Sequence, residues 1–457
     1  MVKGARTREK FRARLTFFNE ERRRRLISAV GGATLPEEQH MVLEDYLHRS
    51  LKRRQAPLPL FKLQIHMIQD LAIAEQAVSH YKREREERQE RINKGQDEKE
   101  RLEGEIQLIE RELHFNEAEV RAIRDIADGI AWRLFDFDRG TLSELATKPG
   151  KKHLNIEGIN AELDEFGAVF HERQGIAVFN ELTHFLKLGD VTIRKNSGEF
   201  EIVEVKKGHK TSGRITRQRQ DMRRSVTFLN TGEREEEEGR IVISELDIRP
   251  ETFHGLVEGI VREAGEKGVV VNRIGDHLIV ECTDFMRARE IDRGRRESVM
   301  AQTREWTEAW VSRGDFLLSH WSQEKYLEIR NYAPFSIFPF PEIVRVKLMT
   351  GALWLVAYVN ISAVIRYFEQ RGWRVVRPPG ELLEEAEAKG SARMMGLVTV
   401  KKGPCTIEVP APLLGRLGFE FIRPRTLVDI LEAVLSSGEP AAPMSFVNLQ
   451  GEREIWD

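Results

Sequence analysis

The sequence predicts an α+β multidomain chain: an N-terminal helical, coiled-coil-like region, a central αβββαβ core and a C-terminal mixed α/β region. Three observations carry that expectation. Residues 58 to about 135 place apolar side chains at helical and near-heptad spacing around a very polar middle. Residues 156–250 switch between helical and two-residue apolar periods in the order helix, three strands, helix, strand. Beyond 251, short β-branched runs alternate with helical stretches. A length of 457 residues fits about three domains.

Residues 1–55 form a strongly basic helical arm, with Arg22-Arg23-Arg24-Arg25 after Phe17 and Phe18, broken by Gly31-Gly32 and Pro36. Such an arm reads equally as a nucleic-acid contact and as a helix face answering acidic residues elsewhere. Residues 56–137 read as long helices. Leu71, Val78 and Tyr81 give way to Lys82–Arg101, where Ile92 is the one large aliphatic residue; Leu102, Ile106, Ile109, Leu113, Val120 and Ile123 then resume the pattern. Gly95 marks the tip of a helical hairpin, with one continuous helix as the alternative. Either form needs a surface for its apolar seam, from this chain, a second copy in a homo-oligomer, or a partner protein. Asp128, Asp136 and Asp138 near the end of this region invite a metal reading, but Trp132, Leu134 and Phe135 among them favour packing.

Residues 138–250 follow a clearer pattern. Ile159, Leu163, Phe166 and Phe170 predict a helix over about 156–171, and Ile176-Ala177-Val178-Phe179 a strand after Gly175. Asp190 opens the next strand in Gly189-Asp190-Val191-Thr192-Ile193, and Lys195-Asn196-Ser197-Gly198 turns the chain back. Alternation then places Phe200, Ile202, Glu204 and Lys206 on one face of a third strand and Val203 and Val205 on the other. Ile215, Gln218, Met222, Val226 and Leu229 make one stripe of a helix starting near Gly213. The acidic run Glu235–Glu238 reads as a surface loop before a buried strand at Ile241-Val242-Ile243-Ser244.

In that arrangement Asp190, Glu204 and Lys206 converge at one end of a sheet, which suits phosphoryl transfer. The two carboxylates, with the carbonyl of Val205, are oxygen ligands for one or two Mg²⁺ ions. Lys206 is placed to lower the pKa of an attacking water or to neutralise developing charge. Glu-x-Lys alone means little, since Glu387-Ala388-Lys389 repeats it in a surface helix. The strand-turn-strand setting and the preceding Gly-Asp favour a site over a surface salt bridge.

Residues of about 151–250 resemble the PD-(D/E)XK superfamily, the restriction-endonuclease-like nucleases. That family's core has this order of elements, and its signature is an Asp at a strand start followed by (Asp/Glu)-x-Lys on the next strand. The resemblance implies catalytic roles for Asp190, Glu204 and Lys206, with Gln218 as the helix residue facing the site. It also implies a further acid, for which Glu165 and Glu181 are both candidates, and Mg²⁺ or Mn²⁺ as cofactor. Gly189 stands where the family pattern has Pro. The resemblance covers under a quarter of the chain.

Lys207, Lys210, Arg214, Arg217, Arg219, Arg223 and Arg224 crowd the loop and helix after Lys206. Beside paired acids, this cluster fits backbone phosphates better than an ordinary solvated face. The residues do not separate DNA from RNA; the resemblance implies DNA. Endonuclease and exonuclease action stay open. Accessory regions of this size fit restriction or antiviral (antiphage) defence by analogy. The alternative is a non-catalytic nucleic-acid-binding or scaffold subunit with a nuclease-like fold. There is no phosphate-loop motif, Gly208-His209-Lys210-Thr211 being only a fragment, so any unwinding falls to a separate ATPase partner.

A net charge of -2 means that positive charge acts locally. Cys282 and Cys405 are too few for a disulfide framework or a Cys-rich zinc site, and the twelve histidines show no zinc spacing. With no apolar leader, a cytoplasmic location is expected, away from membranes. Gly351–Ile365 is too short to span a bilayer and predicts a buried strand leading into a helix. In residues 251–457, Val269–Val271 and Leu278–Val280 flank Gly275-Asp276 as a hairpin, but Glu281-Cys282-Thr283 lacks the lysine. Arg287, Arg289, Arg293, Arg295 and Arg296 form a second basic patch. Trp306, Trp310, Trp321, Tyr326, Tyr332, Phe335, Phe338 and Phe340 read as core more readily than as base-stacking platforms. This region is expected to bind substrate or a partner.

Overall fold

The structure, a computed structural model, describes residues 37–52, 57–95, 99–146, 175–186, 188–203, 213–236, 239–288, 293–321, 332–377, 396–436, 446–449 and 451–456. The chain is a mixed α/β protein that divides into two compact units. One comprises Leu35–Asp247, Ala333–Gly351 and Ala442–Asp457; the other includes Ile248–Tyr332 and Ala352–Ala441. Residues 251–457, read from the sequence as one region, are thus shared between the two. The helices expected at 1–36 and 156–171, with Glu165 and Glu387-Ala388-Lys389, lie outside the described residues.

The first unit begins with helices α1 (Glu37–Lys52), α2 (Pro57–Asn93) and α3 (Lys99–Leu134). α2 and α3 form a hairpin rather than one helix. Gly95 adopts φ +72° and its N–H closes on Ile92 O at 3.0 Å, a left-handed ending that glycine makes without strain. The seam is filled from within: Leu63, Met67 and Leu71 on α2 and Leu102, Ile109, Leu113 and Ile123 on α3 are all buried. Charged pairs tie the polar stretch across the helices, Lys82 to Glu117 at 2.9 Å and Arg88 to Glu105 at 3.5 Å.

From Ala122 to Leu134 every residue of α3 is buried, so this half is a core helix rather than an amphipathic one. Gly129 allows a close approach: a Cβ there would sit 2.4 Å from Ser336 Oγ. Asp138 caps the next helix, α4 (Arg139–Ala146), accepting from Thr141 N at 2.8 Å and Thr141 Oγ1 at 2.7 Å. Trp132 is buried beneath the Arg139 guanidinium, and Asp136 pairs with Arg194 at 2.5 Å. These contacts are packing and capping, as the sequence favoured.

Strands β1 (Gly175–Phe179), β2 (Val191–Lys195) and β3 (Phe200–Val203) make an antiparallel sheet in that order. The predicted turn joins β2 to β3: Gly198, at φ +90°, donates to Lys195 O at 2.9 Å. Each outer strand is met by a side-chain amide. Gln64 of α2 donates to Ala177 O at 2.9 Å and accepts from Phe179 N at 3.0 Å. Asn230 likewise accepts from Phe200 N at 2.8 Å and donates to Phe200 O at 3.1 Å. Each amide completes a ladder as a neighbouring strand would, sparing the edge unpaired polar groups. Asn230 belongs to α5 (Gly213–Thr231), whose buried stripe is Met222, Ser225, Phe228 and Leu229.

After α5 the acidic run departs from expectation. Glu235 and Glu236 belong to a strand, β4 (Glu233–Glu236), antiparallel to β5 (Gly239–Leu246), with Glu235 opposite Arg240. A charged sequence is tolerated because β4 is an edge, where charge blocks further pairing. On the other side of β5 runs Phe446–Leu449, parallel, so the C-terminal segment completes this sheet.

The second unit is built on a four-stranded antiparallel sheet, ordered Val269–Ile274, Leu278–Asp284, Leu353–Asn360, Leu317–Trp321. Its first two strands are the predicted hairpin. Leu353–Asn360 is buried throughout, and Asn360 caps helix Ile361–Gln370 by accepting from Ala363 N at 3.0 Å. Trp310, Phe285, Trp354 and Tyr358 share one core cluster, and Tyr332 stacks on Phe419. Phe335, Phe338 and Phe340, in the first unit, are also buried. Trp306 is partly buried and packs against the Trp310 cluster, so the described aromatics of this group belong to or line the core. Arg287 is exposed; the side chains of Arg289, Arg293, Arg295, Arg296, Trp321 and Tyr326 lie outside the described residues. No described helix is long and apolar enough to cross a membrane.

Candidate active site at the end of the three-stranded sheet

Asp190 sits immediately before β2, and its main chain is held on both sides. Its N–H donates to Val203 O on β3 at 2.8 Å, and its carbonyl accepts from Asn180 N, just past β1, at 2.9 Å. Ends of all three strands therefore meet at Asp190. Register pairs Thr192 with Ile202 and Val178, so alternation assigns the half-buried Asp190 side chain to that face. The sequence expectation for Glu204, next in the chain after Val203, is the same face. Glu204, Val205, Lys206, Lys207 and Lys210 lie outside the described residues.

The backbone at Gly189 has no room for a proline or any other side chain. Its φ is +66°, whereas proline is locked near −65°. A Cβ at this position would meet Ile202 Cγ2 at 2.5 Å and Val203 O at 2.8 Å, so even alanine is too large. Met222 Cε lies 3.4 Å from the same point, which brings the buried stripe of α5 to the acid end of the sheet. Gln218 precedes Met222 by one turn of that helix. The side chains of Gln218, Arg214, Arg217 and Arg219 lie outside the described residues, while Arg223 and Arg224 are exposed on α5.

The loop from β1 to β2 is organised by groups with no sequence signature. Asn180, 1% exposed, donates from Nδ2 to Leu188 O at 2.6 Å and accepts from Thr192 Oγ1 at 2.9 Å. Its neighbour Glu181, in the 3-10 turn Asn180–Leu182, thereby comes to the same sheet end as Asp190. Of the two further acids weighed from the sequence, Glu181 has its main chain at this sheet end, and Glu165 lies outside the described residues.

Helix α3 grips this loop. Arg124 donates from Nη1 to Glu181 O at 2.8 Å and pairs through Nη2 with Glu75 of α2 at 2.6 Å. Asp128 accepts from His184 N at 2.8 Å, and its other oxygen lies 2.7 Å from His184 Nδ1. A carboxylate there draws the imidazole proton to Nδ1. The described contacts of Asp128 hold the loop. Three residues earlier, Asp125 is pushed up to about 7, by burial first and then by the charge of Asp128. It accepts from Ser336 N at 2.8 Å.

Among the described residues no group of three or more His, Cys, Asp or Glu side chains is arranged to hold a metal ion. No family model, curated protein or solved structure matches the chain.

Proposed function

We propose that this protein is a metal-dependent nuclease that hydrolyses DNA phosphodiester bonds at the acid end of the three-stranded sheet. The observation that carries this reading is Asp190. A carboxylate-bearing residue is bonded through its main chain to both neighbouring strand ends, one of which continues directly into Glu204-Val205-Lys206. The order β1, β2, β3, α5, β5 agrees with the βββαβ part of the expected core, although β5 pairs with β4 and Phe446–Leu449 in a separate sheet and the leading helix lies outside the described residues.

Oxygen donors alone, Asp190 with Glu204 and the Val205 carbonyl, suit a hard cation such as Mg²⁺ or Mn²⁺, with Glu181 or Glu165 as the candidate further carboxylate. Bound there, such an ion would supply charge neutralisation at the phosphate and a more acidic water. Lys206 stabilises charge on the attacking water or the phosphate, and Gln218 orients the phosphate from α5. Arg214, Arg217, Arg223 and Arg224, with Lys207 and Lys210, hold the nucleic-acid backbone without reading sequence.

The test is cleavage of plasmid, linear duplex and single-stranded DNA, with RNA alongside, in Mg²⁺, Mn²⁺ or EDTA, by wild type and Lys206→Ala. The expected result is metal-dependent cutting of DNA, reduced about 10²-fold or more in the variant. No cutting by wild type, or equal cutting by both, overturns the proposal; the first result favours a binding or scaffold subunit instead.

A further inference from the structure

We infer that the C-terminal segment Phe446–Trp456 is an exchangeable strap, and that a second copy of this chain is the partner that can supply it, giving a dimer by reciprocal exchange. Nothing in this exchange depends on the chemistry at Asp190. The segment belongs to the first unit, yet the chain reaches it only after passing through residues 352–441 of the second. Within the first unit it is held by non-covalent contacts, as a bound peptide would be. Residues 437–445, with Gly438, Pro440 and Pro443, precede it. Fully extended, a linker of that length spans about 30 Å at most, enough to reach a neighbouring molecule.

Three contacts define the groove. Phe446–Leu449 pairs in parallel with Ile243–Leu246 of β5, and Leu449 is buried. Glu452, 2% exposed, pairs with Arg139 of α4 at 3.3 Å, and that guanidinium lies over the Trp132 ring at 4.9 Å. Trp456, also buried, packs on Phe338 with ring centroids 5.3 Å apart. Main-chain pairing supplies affinity, while a carboxylate and an indole at fixed offsets supply specificity.

An empty groove would be costly. β4 and β5 alone make a two-stranded ribbon, marginal in water, with the edge of β5 open to another strand. Elsewhere in this unit the edges are managed locally: Gln64 meets β1, Asn230 meets β3, and β4 is acidic. Arg139 would also lose a buried carboxylate partner. A released strap is thus replaced rather than left vacant, and an identical segment is the occupant that restores all three contacts at once.

The experiment is disulfide trapping on the full chain, with Cys405→Ser throughout. Ser244 and Val447 are register partners on neighbouring strands, about 4.8 Å apart and within the span of a disulfide. One preparation carries Ser244→Cys and another Val447→Cys, each with its own affinity tag, and the two are mixed under mild oxidation. A covalent dimer bearing both tags is expected. Its yield should be about tenfold or more above that of Ser244→Cys mixed with Glu454→Cys, because docking raises the effective concentration of paired thiols. An excess of a peptide of residues 442–457 should suppress it. Both substitutions in one chain should close a disulfide within that chain, which verifies the register. Should either variant melt well below wild type, Glu245→Cys with Asn448→Cys repeats the test at the next pair. No dimer above the off-register mixture, or a yield unmoved by the peptide, overturns the exchange. Failure of the double variant to close within the chain removes the docked strand, and the exchange with it.

Discussion

Gly189→Ala perturbs the candidate site at its tightest point. Two costs apply. A non-glycine residue at φ +66° pays the left-handed penalty, about 1 to 2 kcal/mol. Its Cβ would also press on Ile202 Cγ2 at 2.5 Å and on Val203 O at 2.8 Å. The second contact is backbone and cannot rotate away, so overpacking adds about 1 to 3 kcal/mol. Gly198→Ala separates the two: its φ is +90° and nothing lies within 4 Å of the added methyl, so only the first cost applies. The difference between the variants should be about 1 to 3 kcal/mol, a Tm gap of about 2 to 12 °C for a unit of this size. Far-ultraviolet circular dichroism melts measure it. Because Val203 O is also the acceptor for Asp190 N, cleavage should fall further in Gly189→Ala than in Gly198→Ala. Equal melting temperatures would refute the argument that glycine is required here by space as well as by conformation.

Gln64→Leu removes the amide that completes the edge of β1 and leaves Ala177 O and Phe179 N without that partner. A loss of about 2 to 5 kcal/mol is expected, with faster hydrogen exchange at the Phe179 amide; unchanged exchange would mean that the edge does not depend on α2. Asp125 predicts a pH dependence. Its folded value of about 7 exceeds its ordinary 3.8, so its contribution is fully present below about 3.8 and is lost as pH rises toward about 7. His114 in the same unit, lowered to about 4 by burial, works in the opposite sense, so the readout is wild type minus Asp125→Asn. Urea unfolding across that range should show wild type losing stability relative to the variant, and parallel curves would contradict it.

What was legible in the sequence was local. An apolar run marked β1, the stretch after Gly189-Asp190 marked β2, two-residue alternation marked β3, and an i, i+3, i+4 stripe marked α5. Gly95 and Gly198 marked reversals, each adopting the positive φ that makes glycine informative. Long-range polar pairing was not legible. Gln64 and Ala177 are 113 positions apart, and Asn180, Arg124 and His184 carry no spacing that announces a role. Asp128 was visible as a carboxylate close to a candidate site, yet its work is to hold a loop. Misreading Glu235 and Glu236 as loop came from weighing charge above pairing, which an edge strand reverses. The place of Glu181 depends on the 3-10 turn after β1, a three-residue feature with no periodicity, while Glu165 lies outside the described residues.

Cleavage by Asp190→Ala beside wild type, in Mg²⁺ and on the DNA form that wild type cuts best, tests the central claim most directly. The account predicts loss of cutting by about 10²-fold or more, with melting close to wild type, because the side chain is half-buried and the strand-end hydrogen bonds are made by its main chain. Cutting at the wild-type rate by Asp190→Ala would place the chemistry elsewhere in the chain and contradict the account.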